Sequence, residues 1–220
     1  MNAPPDTPFD PPLPALSDVT LPGARMFDLA PRAGGPPWRI FLAVPDAPPP
    51  PAGFPAIYLL DANAGFATFA ETLRRGSVRS RATGIVPAVL VGIGYPATDS
   101  YDRERRTFDF TAGPGVEGGA RATGGRDAFL AFIEHELKPL VARLCPVDPA
   151  RQTLFGHSLG GFFALDVLAR DARAFRNYVA VSPSIWWDEP RLVAGLGAAR
   201  PAAGTRLAVL VGEWEQALAP

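Results

Sequence analysis

Two unbroken apolar runs, Ala56-Ile57-Tyr58-Leu59-Leu60 and Ala88-Val89-Leu90-Val91-Gly92-Ile93-Gly94, constrain this chain more than any other feature. Neither alternates apolar with polar residues, so neither suits a strand with one face in water. Runs of that length bounded by Gly and Pro read as strands covered on both faces of a parallel sheet. A helix is predicted between them over residues 65–75. Further on, Phe129, Leu130, Ile133, Leu137, Leu140, Val141 and Leu144 recur at helical spacing, which predicts a helix over 127–144. Pro139 should bend it. A strand at 152–155, a helix at 159–170 and strands at 178–181 and 206–211 complete the alternation. The pattern predicts an α/β fold with a mostly parallel central sheet and helices on both faces.

Upstream, residues 24–29 and 38–44 read as an antiparallel hairpin, and 45–55 as a stiff Pro-rich connector. Residues 1–14 are Pro-rich and lack periodicity, which predicts a flexible leader ahead of a single domain over 15–220. Residues 95–125 are polar and Gly-rich with no clear period, as expected of a long functional or mobile loop.

Several function classes are excluded early. Lys and Arg number 21 against 22 Asp and Glu, so there is no basic field for a phosphate backbone and no nucleic-acid partner is expected. One cysteine, Cys145, and two histidines make neither a disulfide framework nor a metal-ligand set, so no metal and no cofactor are expected. The N-terminus has neither the basic nor the apolar region of a secretory signal, and no apolar run approaches bilayer length. No membrane partner and a cytoplasmic location are expected.

The chemistry centres on Gly156-His157-Ser158-Leu159-Gly160, a G-x-S-x-G sequence between a predicted strand and a predicted helix. That context is the strand-turn-helix of a nucleophile elbow, where a sharp, strained turn exposes the serine and flanking glycines keep side chains clear. Ser158 is the candidate nucleophile. An oxyanion formed by its attack needs two backbone N–H groups already aimed at it. The N–H of Leu159, at the start of the following helix, is one. The second is assigned to Asn63 or its neighbour Ala62, just after the 56–60 strand. Alternatively, Asp61 and Asn63 simply cap the next helix.

An acid is expected beyond a later strand, and Gly212-Glu213-Trp214-Glu215 offers two, Glu213 and Glu215, with no ground for choosing between them. Either could instead be a solvated residue at a sheet end. A histidine base is expected after the acid, but His135 and His157 both precede it. The elbow should send the His157 ring away from the Ser158 hydroxyl to pack beside the site, and His135 should lie on a helix surface. Three readings are open, the first two being an ester hydrolase working through an acyl-enzyme and a catalytically silent binding protein that keeps the cleft without the base. Acyl transfer to an acceptor other than water is a third.

The motifs in combination resemble a known family. Tyr58-Leu-Leu-Asp-Ala-Asn, Val91-Gly-Ile-Gly-Tyr-Pro, Tyr101-Asp-Arg-Glu-Arg-Arg, the elbow and Val181-Ser-Pro-Ser-Ile-Trp-Trp are similar to the esterase D-like α/β-hydrolases, and especially to their siderophore (enterobactin trilactone) esterase branch. The resemblance implies an α/β-hydrolase fold and a small-molecule ester substrate of siderophore or aromatic acyl type. It also implies that Arg105, Arg106, Trp186 and Trp187, with His157, border the substrate cleft. Family members carry a further helix, strand and His-bearing loop after the Gly-Glu-x-Glu strand, and the 220 residues do not include them. An exposed sheet edge at 207–211 and self-association through it are therefore expected.

Overall fold

The computed structural model describes residues 13, 15–115 and 119–215. The expected leader lies outside the described residues, apart from Leu13. The chain opens with β1 (Ala24–Leu29) and β2 (Trp38–Ala43), the predicted antiparallel hairpin. β3 (Phe54–Leu60), β4 (Val89–Gly94), β5 (Val147–His157), β6 (Asn177–Val181) and β7 (Arg206–Leu210) come after it. The sheet order is β1-β2-β4-β3-β5-β6-β7, parallel from β4 through to β7. The ladder between β3 and β5 slips between Phe54 and Ala56, where Pro55 has no N–H to give.

Side chains alternate strictly across this sheet. Ile57, Leu59, Leu90 and Phe155 face α1 (Ala62–Ser77), whose Ala62, Phe66 and Ala70 are buried. Ala56, Tyr58, Leu60, Val89, Val91, Ile93 and Leu154 form the core of the other face. Over them pack α4 (Arg126–Phe132), α5 (Lys138–Leu144) and α6 (Leu159–Arg170), and ten of the twelve residues of α6 are buried. Helices thus cover both faces, as the apolar runs require.

Two local features depart from expectation. The 127–144 helix is not simply bent: between α4 and α5 it widens into a π turn over Ile133–Leu137, next to Pro139, which cannot donate to the carbonyl of His135. The 95–125 segment is not all loop, for it holds α3 (Arg103–Phe110). Asp102 caps α3 by accepting the Arg105 N–H at 3.0 Å. A short helix α2 (Ser80–Thr83) and a longer one, α7 (Glu189–Ala198), also carry no clear signal in the sequence. No described helix is long and apolar enough to cross a membrane.

Candidate active site

β5 ends at His157, and Ser158 comes next with φ 56° and ψ −120°, a conformation a non-glycine residue holds only under strain. Its N–H donates to the Val181 carbonyl at 2.9 Å, and its carbonyl accepts from Phe162 and Ser184, both at 3.0 Å. The turn is so tight that a Cβ on Gly156 would overlap the Gly160 backbone and reach 2.7 Å from the Gly161 nitrogen. A Cβ on Gly161 would sit 3.1 Å from Pro183 Cα. A Cβ on Gly160 would meet only ordinary contacts at 3.5 to 3.6 Å, whereas Gly156 of the motif and Gly161 just beyond it are dictated by close approach. They let α6 start at Leu159, whose N–H has no acceptor within the helix and carries the positive end of its dipole.

The loop after β3 lies against this elbow: Asp61 Oδ2 is 3.5 Å from where a Gly160 Cβ would be. Asp61 takes a left-handed conformation, φ 53°, and leads directly into α1. The N–H groups of Ala62 and Asn63 are among the first of that helix and have no acceptor within it. Neither Asp61 nor Asn63 caps the helix with its side chain. Asp61 is paired with Arg106 instead, at 3.0 and 2.7 Å. The Asn63 amide latches the end of β4, accepting from Tyr95 N–H at 2.8 Å and donating to the carbonyls of Tyr95 and Ala97 at 3.0 and 3.1 Å. Of Asn63, the backbone N–H alone is left for an oxyanion, beside the N–H of Ala62.

Of the two candidate acids, Glu215 is the one tied to the elbow's surroundings. Its Oε1 accepts the Ser182 hydroxyl at 2.5 Å and the Gly212 N–H at 2.7 Å. The Ser182 hydrogen bond, then the Gly212 N–H, and to a smaller degree the charge of His157 hold its carboxyl below the ordinary glutamate range. Glu213 makes no such contact among the described hydrogen bonds. His157 is exposed rather than packed, and it lines the same cleft as Ser158. His135 is exposed in the π turn, as expected.

The cleft over Ser158 encloses about 340 Å³, walled by Tyr101, Arg103, Arg106, Arg121, Trp186 and Trp187. Arg106 and both tryptophans, expected to border the substrate cleft, line this one. Arg105 does not line the cleft. Its guanidinium donates to the carbonyls of Pro37 and Pro36 at 2.6 and 3.2 Å and stacks on Trp38 and Tyr95. Arg103 and Arg121 carry no motif that would mark them in the sequence, though recognising α3 would have found Arg103, since it lies one turn before Arg106. A larger groove of about 920 Å³ lies past the C-terminal end of α6. Of its four arginines, Arg126 and Arg170 pair with Asp166 and Asp127 and Arg200 donates to the carbonyls of Ala198 and Ala199, while Arg173 makes no side-chain hydrogen bond or ion pair among the described residues.

Residues 35–216 match the family model described as "Putative esterase". The chain belongs to this esterase family. Ferri-bacillibactin esterase BesA of Bacillus subtilis is 43% identical over 179 residues, which are 78% of this chain and 62% of that protein. The siderophore enterobactin esterase of Emericella nidulans is 44% identical over 145 residues, 60% of this chain and 47% of that protein. The chain therefore spans less than two thirds of the length of these curated relatives. The crystal structure of the BES protein from Bacillus cereus superposes with a TM-score of 0.86 at 35% identity, covering 91% of this chain and 78% of that one. The fold is that of the α/β-hydrolases, and within the family the chain is similar to siderophore esterases.

Proposed function

We propose that this chain is a serine esterase that hydrolyses siderophore-type esters through an acyl-enzyme on Ser158. The observation that carries the reading is the strained Ser158, set at a helix N-terminus and opening into a cleft walled by three arginines and two tryptophans. In the reaction, Ser158 Oγ attacks the ester carbonyl carbon while its proton passes to a general base that lies outside the described contacts, where the one side-chain partner of Ser158 Oγ is Ser184 Oγ. The negative charge moves to the carbonyl oxygen, where the N–H groups of Leu159 and Asn63 receive it. The C–O bond then breaks, the leaving alcohol takes a proton, and water repeats the sequence on the acyl-enzyme. Glu215, fixed by two hydrogen bonds, is the acid that orients the base.

The cleft chemistry supports the substrate class. Arginines hold catecholate or carboxylate oxygens through paired N–H groups, and tryptophan faces stack on flat acyl rings. Trp186 and Trp187 offer the flat faces and Arg103 a guanidinium with no described partner, while Arg106, paired with Asp61, and Arg121, paired with Glu104, bring positive charge and their remaining N–H groups. The names of the similar relatives, ferri-bacillibactin esterase and siderophore enterobactin esterase, point the same way.

The test is hydrolysis of a catecholate trilactone by the protein and its Ser158→Ala variant, read by chromatography, beside fluorophosphonate labelling read by mass. Ser158-dependent cleavage and labelling are expected. Soluble, folded protein that neither cleaves nor labels would overturn the reading.

A further inference from the structure

We infer that Ser182-Pro183-Ser184 is a positioning clamp that holds the acid with its first hydroxyl and the nucleophile with its second. The inference rests on the reading of Ser158 as nucleophile and Glu215 as acid. These two residues are 57 positions apart and sit on different connections, after β5 and after β7. The strand between those two in the sheet is β6, and the tripeptide is attached directly to its C-terminal end.

Each serine is itself held. Ser182 has φ 45°, the left-handed region, and its N–H donates to the Leu210 carbonyl at 2.7 Å. That bond ties it to the end of β7, and the resulting turn brings its hydroxyl to Glu215 Oε1 at 2.5 Å. Ser184 is 6% exposed and lies at the centre of an inverse γ-turn, with φ −71° and ψ 63° and the Ile185 N–H on the Pro183 carbonyl at 2.7 Å. It meets the nucleophile twice: its N–H donates to the Ser158 carbonyl at 3.0 Å, and its hydroxyl is 3.2 Å from Ser158 Oγ. The main-chain contact fixes the elbow and the hydroxyl contact selects one of the three staggered positions open to Ser158 Oγ. Pro183, whose ring fixes φ, packs over Gly161 and keeps the two serines at a set separation.

Such a strain-bearing segment needs a reason. A left-handed Ser182 is costly where glycine would be free of strain, yet glycine would have no hydroxyl for Glu215. A buried Ser184 hydroxyl could be replaced by a methyl group for packing alone, but its oxygen faces the nucleophile. Both positions therefore use the hydroxyl for the acid and the nucleophile rather than for the fold.

The experiment uses Ser182→Ala, Ser184→Ala and Ser184→Cys in the 220-residue protein, each checked for folding by circular dichroism and thermal unfolding. Fluorophosphonate labelling of Ser158 is measured against probe concentration, which separates reactivity from affinity. Ser184→Ala is expected to lower the limiting labelling rate about 3- to 10-fold, the worth of one hydrogen bond, with probe affinity unchanged. Ser184→Cys, which keeps a donor, is expected to stay within about 3-fold of the parent. Carbon-detected NMR of the glutamate carboxyls, with Glu215 assigned by its loss in Glu215→Gln, is expected to show the Glu215 titration moving upward in Ser182→Ala. A purely structural serine would move neither readout. Labelling of Ser184→Ala at the parent rate, or an unmoved Glu215 titration in Ser182→Ala, would overturn the clamp and leave the esterase reading intact. A parent protein that does not label at Ser158 would overturn both.

Discussion

Arg106 closes on Asp61 with two nitrogens, Nε to Oδ1 at 3.0 Å and Nη2 to Oδ2 at 2.7 Å, and both side chains are largely out of water, at 13% and 6% exposure. Asp61 is the left-handed residue that turns β3 into α1, so the pair fixes the direction in which the N–H groups of Ala62 and Asn63 point. Arg106 therefore does more than wall the cleft. Removing one partner of a buried pair leaves the other charge uncompensated. Arg106→Met is expected to destabilise the protein by about 3 kcal/mol in denaturant unfolding and to slow labelling of Ser158. The double variant Arg106→Met/Asp61→Asn should recover part of the stability, since no charge is then stranded. Additive losses in that cycle would show that the pair is not coupled.

Gly161 offers a second test of how the elbow is built. A methyl group there would press on Pro183 Cα and Cβ and on the Val181 carbonyl at 3.1 to 3.2 Å, and none of these can step aside, because the carbonyl is bonded to Ser158 N–H. Gly161→Ala is expected to cost about 1–3 kcal/mol and to lengthen the Ser158–Ser184 contact, so labelling should fall even in folded protein. Unchanged stability and labelling would mean that α6 can shift without disturbing the site. Gly197, where a Cβ would meet nothing, is the control position.

The parts of the fold and site that were legible are those written into local sequence. Unbroken apolar runs marked β3 and β4, and the G-x-S-x-G spacing marked Ser158 and Leu159 without reference to anything distant. α3 was hidden because Arg103-Glu104-Arg105-Arg106 carries no apolar stripe. Its stability comes from the Asp102 cap, from Trp38 Nε1 on Asp109 at 2.8 Å, and from the Arg106–Asp61 pair. With α3 read as loop, Arg105 and Arg106 look equivalent, whereas the helix turns one to Pro36 and Pro37 and the other to the cleft. The contacts that tie Glu215 rather than Glu213 to Ser182, and Ser184 to Ser158, were illegible for a different reason. They depend on β6 lying between β5 and β7, with Val181 beside His157 and Leu210, and periodicity carries no such strand order.

Asp109 gives the pH dependence a sign. Burial pushes its carboxyl above the ordinary aspartate range, partly offset by the Trp38 N–H and the Arg105 charge. A carboxyl with a raised folded value binds its proton more tightly when folded. Its stabilising contribution is therefore full below the unfolded value, about 3.9, and is lost as pH rises through the folded one. Asp109→Asn keeps an acceptor for Trp38 and removes that loss. The stability of the variant relative to the parent, measured by denaturant unfolding, is expected to improve from about pH 4 towards neutrality. Parallel pH profiles for the two proteins would show that Asp109 titrates alike in both states.

The edge of the sheet is the last point where structure makes a demand. β7 pairs with β6 on one side only among the described residues, and every residue from Arg206 to Leu210 is exposed. Leu207, Val209 and Leu210, continued by Val211, leave apolar side chains beside unpaired N–H and carbonyl groups, the arrangement that recruits another strand. This 23.3 kDa chain is therefore expected to self-associate in sedimentation, with an average mass that rises with concentration. Val209→Lys places a charge on that edge, which natural sheets use to block pairing, and should return the protein towards the monomer without altering the hydrogen bonds at Ser158. A parent protein that stays monomeric at every concentration would show that β7 is protected in solution. A lysine variant that still associates would place the contact elsewhere on the surface.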